Sequence, residues 1–275
     1  MKPKQAKQTK KVKQTKQIPQ NVSVTRRAKR WFACGCSHGH LINTAIAEDC
    51  IQAKNHWNPH TTLHLGDFLD ETAFMVNALA GGSDTHDIAD DVVRGLHFLE
   101  RLEPDIVFLG NHDERAYMLL DHHKQEVKFA AQGVVDDIER LVKGELKAEL
   151  VPYSGVTGGG TWSKKSFRAL GNSMAFCHGF TYGLGAGEKH CLFTGMSTVF
   201  VHTHCIEVRP VRSLGDAYGY NIGFIGDVEK MHYASRREKT MTWANGWASG
   251  EYGDDWCNAE VHICPVRQET IPQIN

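Results

Sequence analysis

The chain has 275 residues, 41% of them hydrophobic and 23% charged, with a net charge of −1, a balance that fits a soluble globular protein with ample length for a core. No apolar run reaches the ~18–20 residues needed to cross a bilayer, and no apolar segment near the N-terminus reads as a secretory signal, so a membrane role is not expected and a cytoplasmic one is. The eight cysteines include no Cys-x-x-Cys pair, which argues against a zinc ribbon or a thioredoxin-like motif and for mostly buried thiols.

The charge is unevenly spread. Eleven Lys/Arg residues precede the first acidic residue, Glu48, leaving 20 basic against 32 acidic residues beyond them. The opening MKPKQAKQTKKVKQTKQIPQ is rich in Lys, Gln and Thr and poor in large apolar residues. Residues 1–28 are therefore expected to be a disordered basic tail, either a tether to nucleic acid or a solubilising extension, and residues 29–275 a single folded domain.

In chain order, Trp31–Cys34 reads as a short strand and Leu41–Lys54 as a helix. Thr61–Leu65 is a second strand, residues 72 to 102 read as helical with a break at Gly81-Gly82, and Ile106–Leu109 is a third strand. This strand–helix alternation is that of an α/β fold, whose functional loops gather at the carboxyl ends of the strands. Residues 114 to 149 are again helical, Val151–Ser154 is a strand, and Gly158-Gly159-Gly160 marks a loop. Beyond them Ser173–Cys177, Thr198–Val201, Ile206–Pro210, Thr240–Trp243 and Glu260–Cys264 are short β-rich runs expected to build a second sheet against the first.

The functional signal lies just past the strand ends. The first strand runs into Cys36-Ser37-His38-Gly39, the second into Gly66-Asp67-Phe68-Leu69-Asp70 and the third into Gly110-Asn111-His112-Asp113. Two later strands run into His178-Gly179 and His202-Thr203-His204. A lone histidine at a strand end is usually structural, but five ends bearing N, O or S donors are hard to obtain from packing alone. Such a set suits two divalent metals sharing one carboxylate, Asp67, with Cys36, His38 and His204 on one side and Asn111, His178 and His202 on the other. Imidazole mixed with carboxylate and amide oxygen favours Zn, Fe or Mn over Ca or Mg.

The series CSH (36–38), GDFLD (66–70), GNHD (110–113), His178 and VHTH (201–204) resembles the motifs of the calcineurin-like metallophosphoesterases. The resemblance implies a four-layer α/β/β/α sandwich of two mixed sheets flanked by helices. It implies hydrolysis of phosphate esters, with phosphodiesters of nucleic acid or nucleotides expected here, and one or two divalent ions per chain. It places His38, Asp67 and His204 at one metal, and Asp67, Asn111, His178 and His202 at the other. His112 falls where the family has its leaving-group acid or phosphate ligand, and Asp113 where that histidine has its orienting partner. Asp70 is expected to hold the metal loop by hydrogen bonds. YNIGFIGD (220–227) and TMTWANGWASGEY (240–252) look like the strand-rich tail of bacteriophage-type members.

Three positions depart from the pattern. Glu71 stands where many members carry a phosphate-binding arginine, Val201 replaces a glycine, and Cys36 replaces the first aspartate. Cys-x-His-Gly resembles the same motif in RNA lariat debranching enzymes, where a thiolate would give a sulfur-containing first site. A protonated, non-ligating thiol would instead leave that site short, and a nucleic-acid-binding protein with a degenerate site is the competing reading. Arg115 reads as a surface ion pair or a phosphate contact. Cys34 reads as core on the same face as Cys36, His40, His56, His60 and His64 as surface or loop residues, and Trp243, Trp247 and Trp256 as packing or base-stacking aromatics.

Overall fold

KRWFAC shows the alternation on which the fold is built. In the computed structural model, which describes residues 28–75, 87–154, 162–231 and 241–264, it forms β1 (Lys29–Cys34). Trp31 and Ala33 point to one face of the sheet, and Phe32 and Cys34 to the other. β1 pairs in parallel with β2 (Thr61–His64), which continues through β3 (Ile106–Phe108) to β4 (Glu149–Val151). On its other side β1 takes β10 (Gly246–Tyr252) antiparallel, and β10 takes β11 (Glu260–Ile263). The first sheet is thus mixed, in the order β11-β10-β1-β2-β3-β4.

The second sheet, also mixed, has the order β5-β6-β7-β9-β8. Its strands are β5 (Arg168–Leu170), β6 (Met174–Phe176), β7 (Ser197–Phe200), β8 (Ile206–Val211) and β9 (Ala217–Ile222). The two sheets meet face to face. Trp31, Leu63 and Phe108 from the first pack with Phe176, Val199 and Ile222 from the second, and the rings of Trp31 and Phe176 touch edge-on at 4.8 Å.

Helices cover both outer faces. α1 (Thr44–Trp57) and α2 (Ile88–Leu102) bury Ile46, Cys50, Phe98 and Leu102 on Phe32 and Cys34. Beyond α3 (Glu114–Met118), α4 (Gln125–Glu139) buries Val134, Val135 and Ile138 in a cluster with Val107 and Leu109. On the far side α5 (Ala186–Thr194) sets Ala186 and Cys191 against residues of the second sheet. The result is the expected α/β/β/α sandwich. Among the described residues no helix is long and apolar enough to cross a membrane.

Two expectations need correction here. Glu260–Cys264 belongs to the first sheet, not the second, because β11 pairs with β10. Cys34 and Cys36 lie on opposite faces: Cys34 packs against α1, whereas Cys36, past the strand end and at a left-handed φ of 52°, packs into the layer between the sheets. Most of the basic tail, the Gly81-Gly82 break and Gly158-Gly159-Gly160 lie outside the described residues.

Candidate metal centre

The strand ends converge because the loops after them are stitched together. Cys36 N–H donates to Gly66 O, His38 N–H to Asp67 O and Gly39 N–H to Phe68 O, all within 2.8–2.9 Å. The Asp113 carboxylate then ties the second loop to the third, accepting from the backbone N–H of Asp67 at 2.7 Å, Leu69 at 2.9 Å and Gly110 at 2.7 Å. A side chain at Gly66 would collide with the Gly110 backbone, and one at Gly110 with Asp67, so glycine is required at both. Loops of the second sheet join through Val201 N–H to His178 O at 3.0 Å and Ile225 N–H to Cys36 O at 3.2 Å.

All seven expected donors are brought together. His178 Nε2 lies 3.2 Å from Asp67 Oδ2, from Asn111 Oδ1 and from His202 Nδ1. His38 Nε2 lies 3.1 Å from His204 Nε2. Cys36, His38 and His204 present donor atoms all within 4.8 Å of one another, as do Cys36, Asp67 and His178, and His38, Asp67 and His112. Cys36 and Asp67 therefore sit between the two groups. Five of the seven donors, Cys36, His38, Asp67, His202 and His204, have φ between 52° and 68°. Non-glycine residues avoid that region at a cost of order 1–3 kcal/mol each. Such a concentration of strain is the mark of a functional site.

The protonation pattern is set by the partners. His178 Nδ1–H donates to Leu65 O at 2.8 Å, which orients the ring with Nε2 toward Asp67, Asn111 and His202. His38 Nδ1 faces Asp70 Oδ1 at 3.3 Å and is fixed likewise. Burial and the charge of His178 push His202 down to about 3, and burial with His38 holds His204 well below the usual imidazole range, so both are neutral and able to ligate. Burial favours the protonated form of Asp67, but His178, His112 and His38 outweigh it and keep the carboxylate ionised. Burial, reinforced by the Asp67 charge, pushes the Cys36 thiol well above its ordinary value.

The two carboxylates near His112 exchange the roles expected of them. Asp113 does not orient His112; it is spent on the three backbone N–H groups. Burial and Asp67 push it up to about 7 against the pull of those bonds. Asp70 is the orienting group: its carbonyl accepts from His112 Nδ1 at 2.8 Å and its Oδ1 lies 3.2 Å from the same nitrogen. Arg115 is half-buried and donates to the same carbonyl at 2.7 Å, rather than forming a surface ion pair.

Some of the machinery gave no sequence signal. Asp91 on α2 is buried and accepts from the N–H groups of His40, Asp70 and Glu71. In the sequence it is one of two adjacent aspartates in an amphipathic helix, indistinguishable from a solvated residue. His64 is buried between Phe68 and Phe98, not at the surface. Trp247 is core, and Trp243 packs edge-on to His204 at 4.3 Å.

No protein-family model matches the chain. No curated protein does either. Solved structures resemble it in fold. A conserved protein of Streptococcus pneumoniae described as a predicted phosphoesterase is 11% identical, with 88% of this chain and 95% of that one covered and a TM-score of 0.38. A phosphoesterase of E. coli is 12% identical, with 80% and 87% covered and a TM-score of 0.39. A metallophosphoesterase of Sphaerobacter thermophilus is 14% identical, with 88% and 90% covered and a TM-score of 0.44. At such distance the site is read from its own atoms.

Proposed function

We propose that this chain is a metal-dependent phosphoesterase of the calcineurin-like metallophosphoesterase superfamily, acting on phosphodiesters of nucleic acid or nucleotides. One observation carries the reading. His178, held by the bond from Nδ1 to Leu65 O, turns Nε2 toward an Asp67 oxygen, the Asn111 amide oxygen and His202 Nδ1, each at 3.2 Å. Two imidazole nitrogens, a carboxylate oxygen and an amide oxygen thus meet at one point, a donor set that a divalent cation would satisfy. Nitrogen with mixed oxygen donors suits Zn, Fe or Mn.

His38, Asp67, Asn111, His178, His202 and His204 would hold divalent ions, whose positive charge would polarise a phosphoryl oxygen and activate water. The rest falls to the side chains. Asp67 belongs to both donor groups and keeps them in register. His112 holds a proton for the leaving-group oxygen: Nδ1 is fixed by Asp70, which leaves Nε2 for the substrate. Burial opposes the protonated ring and Arg115 adds to that opposition, but Asp67 and Asp70 outweigh them and raise the His112 pKa above its ordinary value. Asn111, His112 and His202 are half-exposed whereas Cys36, His38, Asp67, His178 and His204 are buried. Substrate therefore enters from the first three.

The test is metal analysis of protein purified without chelator, coupled to turnover of bis-p-nitrophenyl phosphate. One or two ions per chain, with hydrolysis reduced about 10²–10⁴-fold in His112→Ala, is the expected result. Metal-loaded protein that hydrolyses neither diester nor monoester would overturn it. The competing reading, nucleic-acid binding through residues 1–28, is carried by the charge of a segment outside the described residues. It predicts low metal content and binding that falls steeply with salt.

A further inference from the structure

Two of the donor pairs are built alike, one on each sheet. Cys36 and His38 flank Ser37, and His202 and His204 flank Thr203. In both triplets the outer residues hold the left-handed backbone, at φ 52° and 54° in the first and 68° and 60° in the second, while the middle residue does not. Strained backbone of this kind persists only where its surroundings over-determine it. In both triplets the middle residue carries a hydroxyl, and a buried polar side chain holds that hydroxyl.

In the first triplet the holder is His64, fully buried at the end of β2. Its Nδ1 accepts from Gly66 N–H at 3.3 Å, so Nε2 carries the ring proton and faces Ser37 Oγ at 3.4 Å. One imidazole thus ties the residue between Cys36 and His38 to the residue before Asp67. In the second triplet the holder is Asn221 on β9, also buried, whose amide N–H donates to Thr203 Oγ1. Its Oδ1 has no hydrogen-bond partner among the described residues, and a buried acceptor left unpaired is destabilising. Packing alone would be served at either position by an apolar side chain, since His64 lies between Phe68 and Phe98 and Asn221 lies inside a sheet. What each polar group gains is the hydroxyl it holds. Without that contact the flanking donors are free to relax to the common backbone regions, and an ion must re-form the strained turn at the expense of its affinity. We propose that Ser37 and Thr203, held by His64 and Asn221, are positioning residues that lock the two donor pairs in their left-handed turns and keep the centre ready for its ions. The proposal rests on the metal-centre reading and adds what holds its donors in place.

Titration of the full chain with Co²⁺ after chelator treatment tests it, read by the visible absorption of the bound ion beside the melting temperature of the metal-free protein. Ser37→Ala and Thr203→Val should each weaken Co²⁺ by about 10- to 100-fold, the scale on which the supporting partners of metal ligands act, with little change in the metal-free melting temperature. His64→Phe, which keeps a ring between Phe68 and Phe98, should weaken it at least as much as Ser37→Ala. Combining those two should add little to the larger loss, because the same contact is removed by both. Ser37→Ala with Thr203→Val should instead multiply the two losses. His64→Gln, which keeps an acceptor for Gly66 N–H and a donor for Ser37, should recover most of the affinity. A parent chain that binds Co²⁺, with the affinity unchanged in either Ser37→Ala or Thr203→Val, overturns this inference alone. So does a loss in every variant that only follows a fall in the metal-free melting temperature, or a full product of the single losses in Ser37→Ala with His64→Phe. A parent chain that takes up no Co²⁺ overturns the metal-centre reading with it.

Discussion

The two donor groups share imidazoles and differ in what joins them: Cys36 stands with His38 and His204, whereas Asp67 and Asn111 stand with His178 and His202. Around His178 the partners of Nε2 include two oxygens, of the Asp67 carboxylate and the Asn111 amide, beside one imidazole nitrogen of His202. Around His38 the group can close on itself: an N–H on His204 Nε2 can donate to His38 Nε2 at 3.1 Å, and the Cys36 thiol keeps its own proton. The braces differ as well. A backbone carbonyl holds His178, whereas His38 is held by Asp70, which itself hangs from Asp91. Among the described residues His204 Nδ1 has no hydrogen-bond partner, and the ring rests on the face of Phe224 at 4.7 Å. A carboxylate and an amide oxygen offer a cation more charge and more hard donors than two imidazoles and a protonated thiol do. The His178 group should fill first and hold its ion longer.

The most damaging change to either group is the one they share. Asp67→Asn keeps the shape but removes the charge next to Cys36, His178 and His112. Metal content is expected to fall below one ion per chain, and diester hydrolysis by at least about 10³-fold. The comparison breaks if His178→Ala and His204→Ala then behave alike. The first should lose the tightly held ion, the second only the weaker one, as read by mass spectrometry after dialysis. Cys36→Ser sharpens it further: removing the sulfur should weaken the second ion by about 10- to 100-fold and leave the first in place.

Next in size is the brace. Asp70→Asn leaves one oxygen for two histidine rings and is expected to lower turnover by about 10- to 100-fold, with the tighter ion retained. Asp113→Asn tests the exchange of roles. The amide cannot accept from three backbone N–H groups, so the melting temperature should fall, whereas the His112-dependent step should persist in the folded fraction. Loss of turnover with an unchanged melting temperature would restore Asp113 as the orienting residue.

Much of this centre was legible in the sequence, since a donor after each of five strands is a pattern of order and residue type. The strand–helix alternation and the apolar faces carried the two-sheet architecture in the same way. What could not be read is what depends on three-dimensional pairing. Glu260–Cys264 has the composition of a strand for either sheet, and only its pairing with β10 assigns it. Cys34 and Cys36 share a face by counting, until the left-handed turn at Cys36 reverses it. Asp70 and Asp113 are chemically equivalent in a sequence. Which one meets imidazole and which meets backbone N–H is fixed by the approach of two loops at Gly66 and Gly110.

The smallest expected effect lies behind the His38 group, at Glu71. Its side chain is buried, one oxygen accepts from Ala116 N–H at 2.8 Å, and the other has no hydrogen-bond partner among the described residues. Burial, together with the charges of Asp113 and Asp91, raises its pKa well above 4.5. The folded chain therefore keeps a proton on Glu71 at pH values where the unfolded chain has released it. The contribution of this residue to stability is complete below the unfolded value and declines as pH rises toward the folded one. Glu71→Gln has nearly the same shape and no such decline. Its melting temperature relative to the parent should rise between pH 5 and pH 8, by an amount on the order of a few degrees. A gap that stays constant with pH would mean that Glu71 is ionised in the folded chain and stabilised by Arg115, and the brace behind His38 would then be an ion pair rather than a neutral acid.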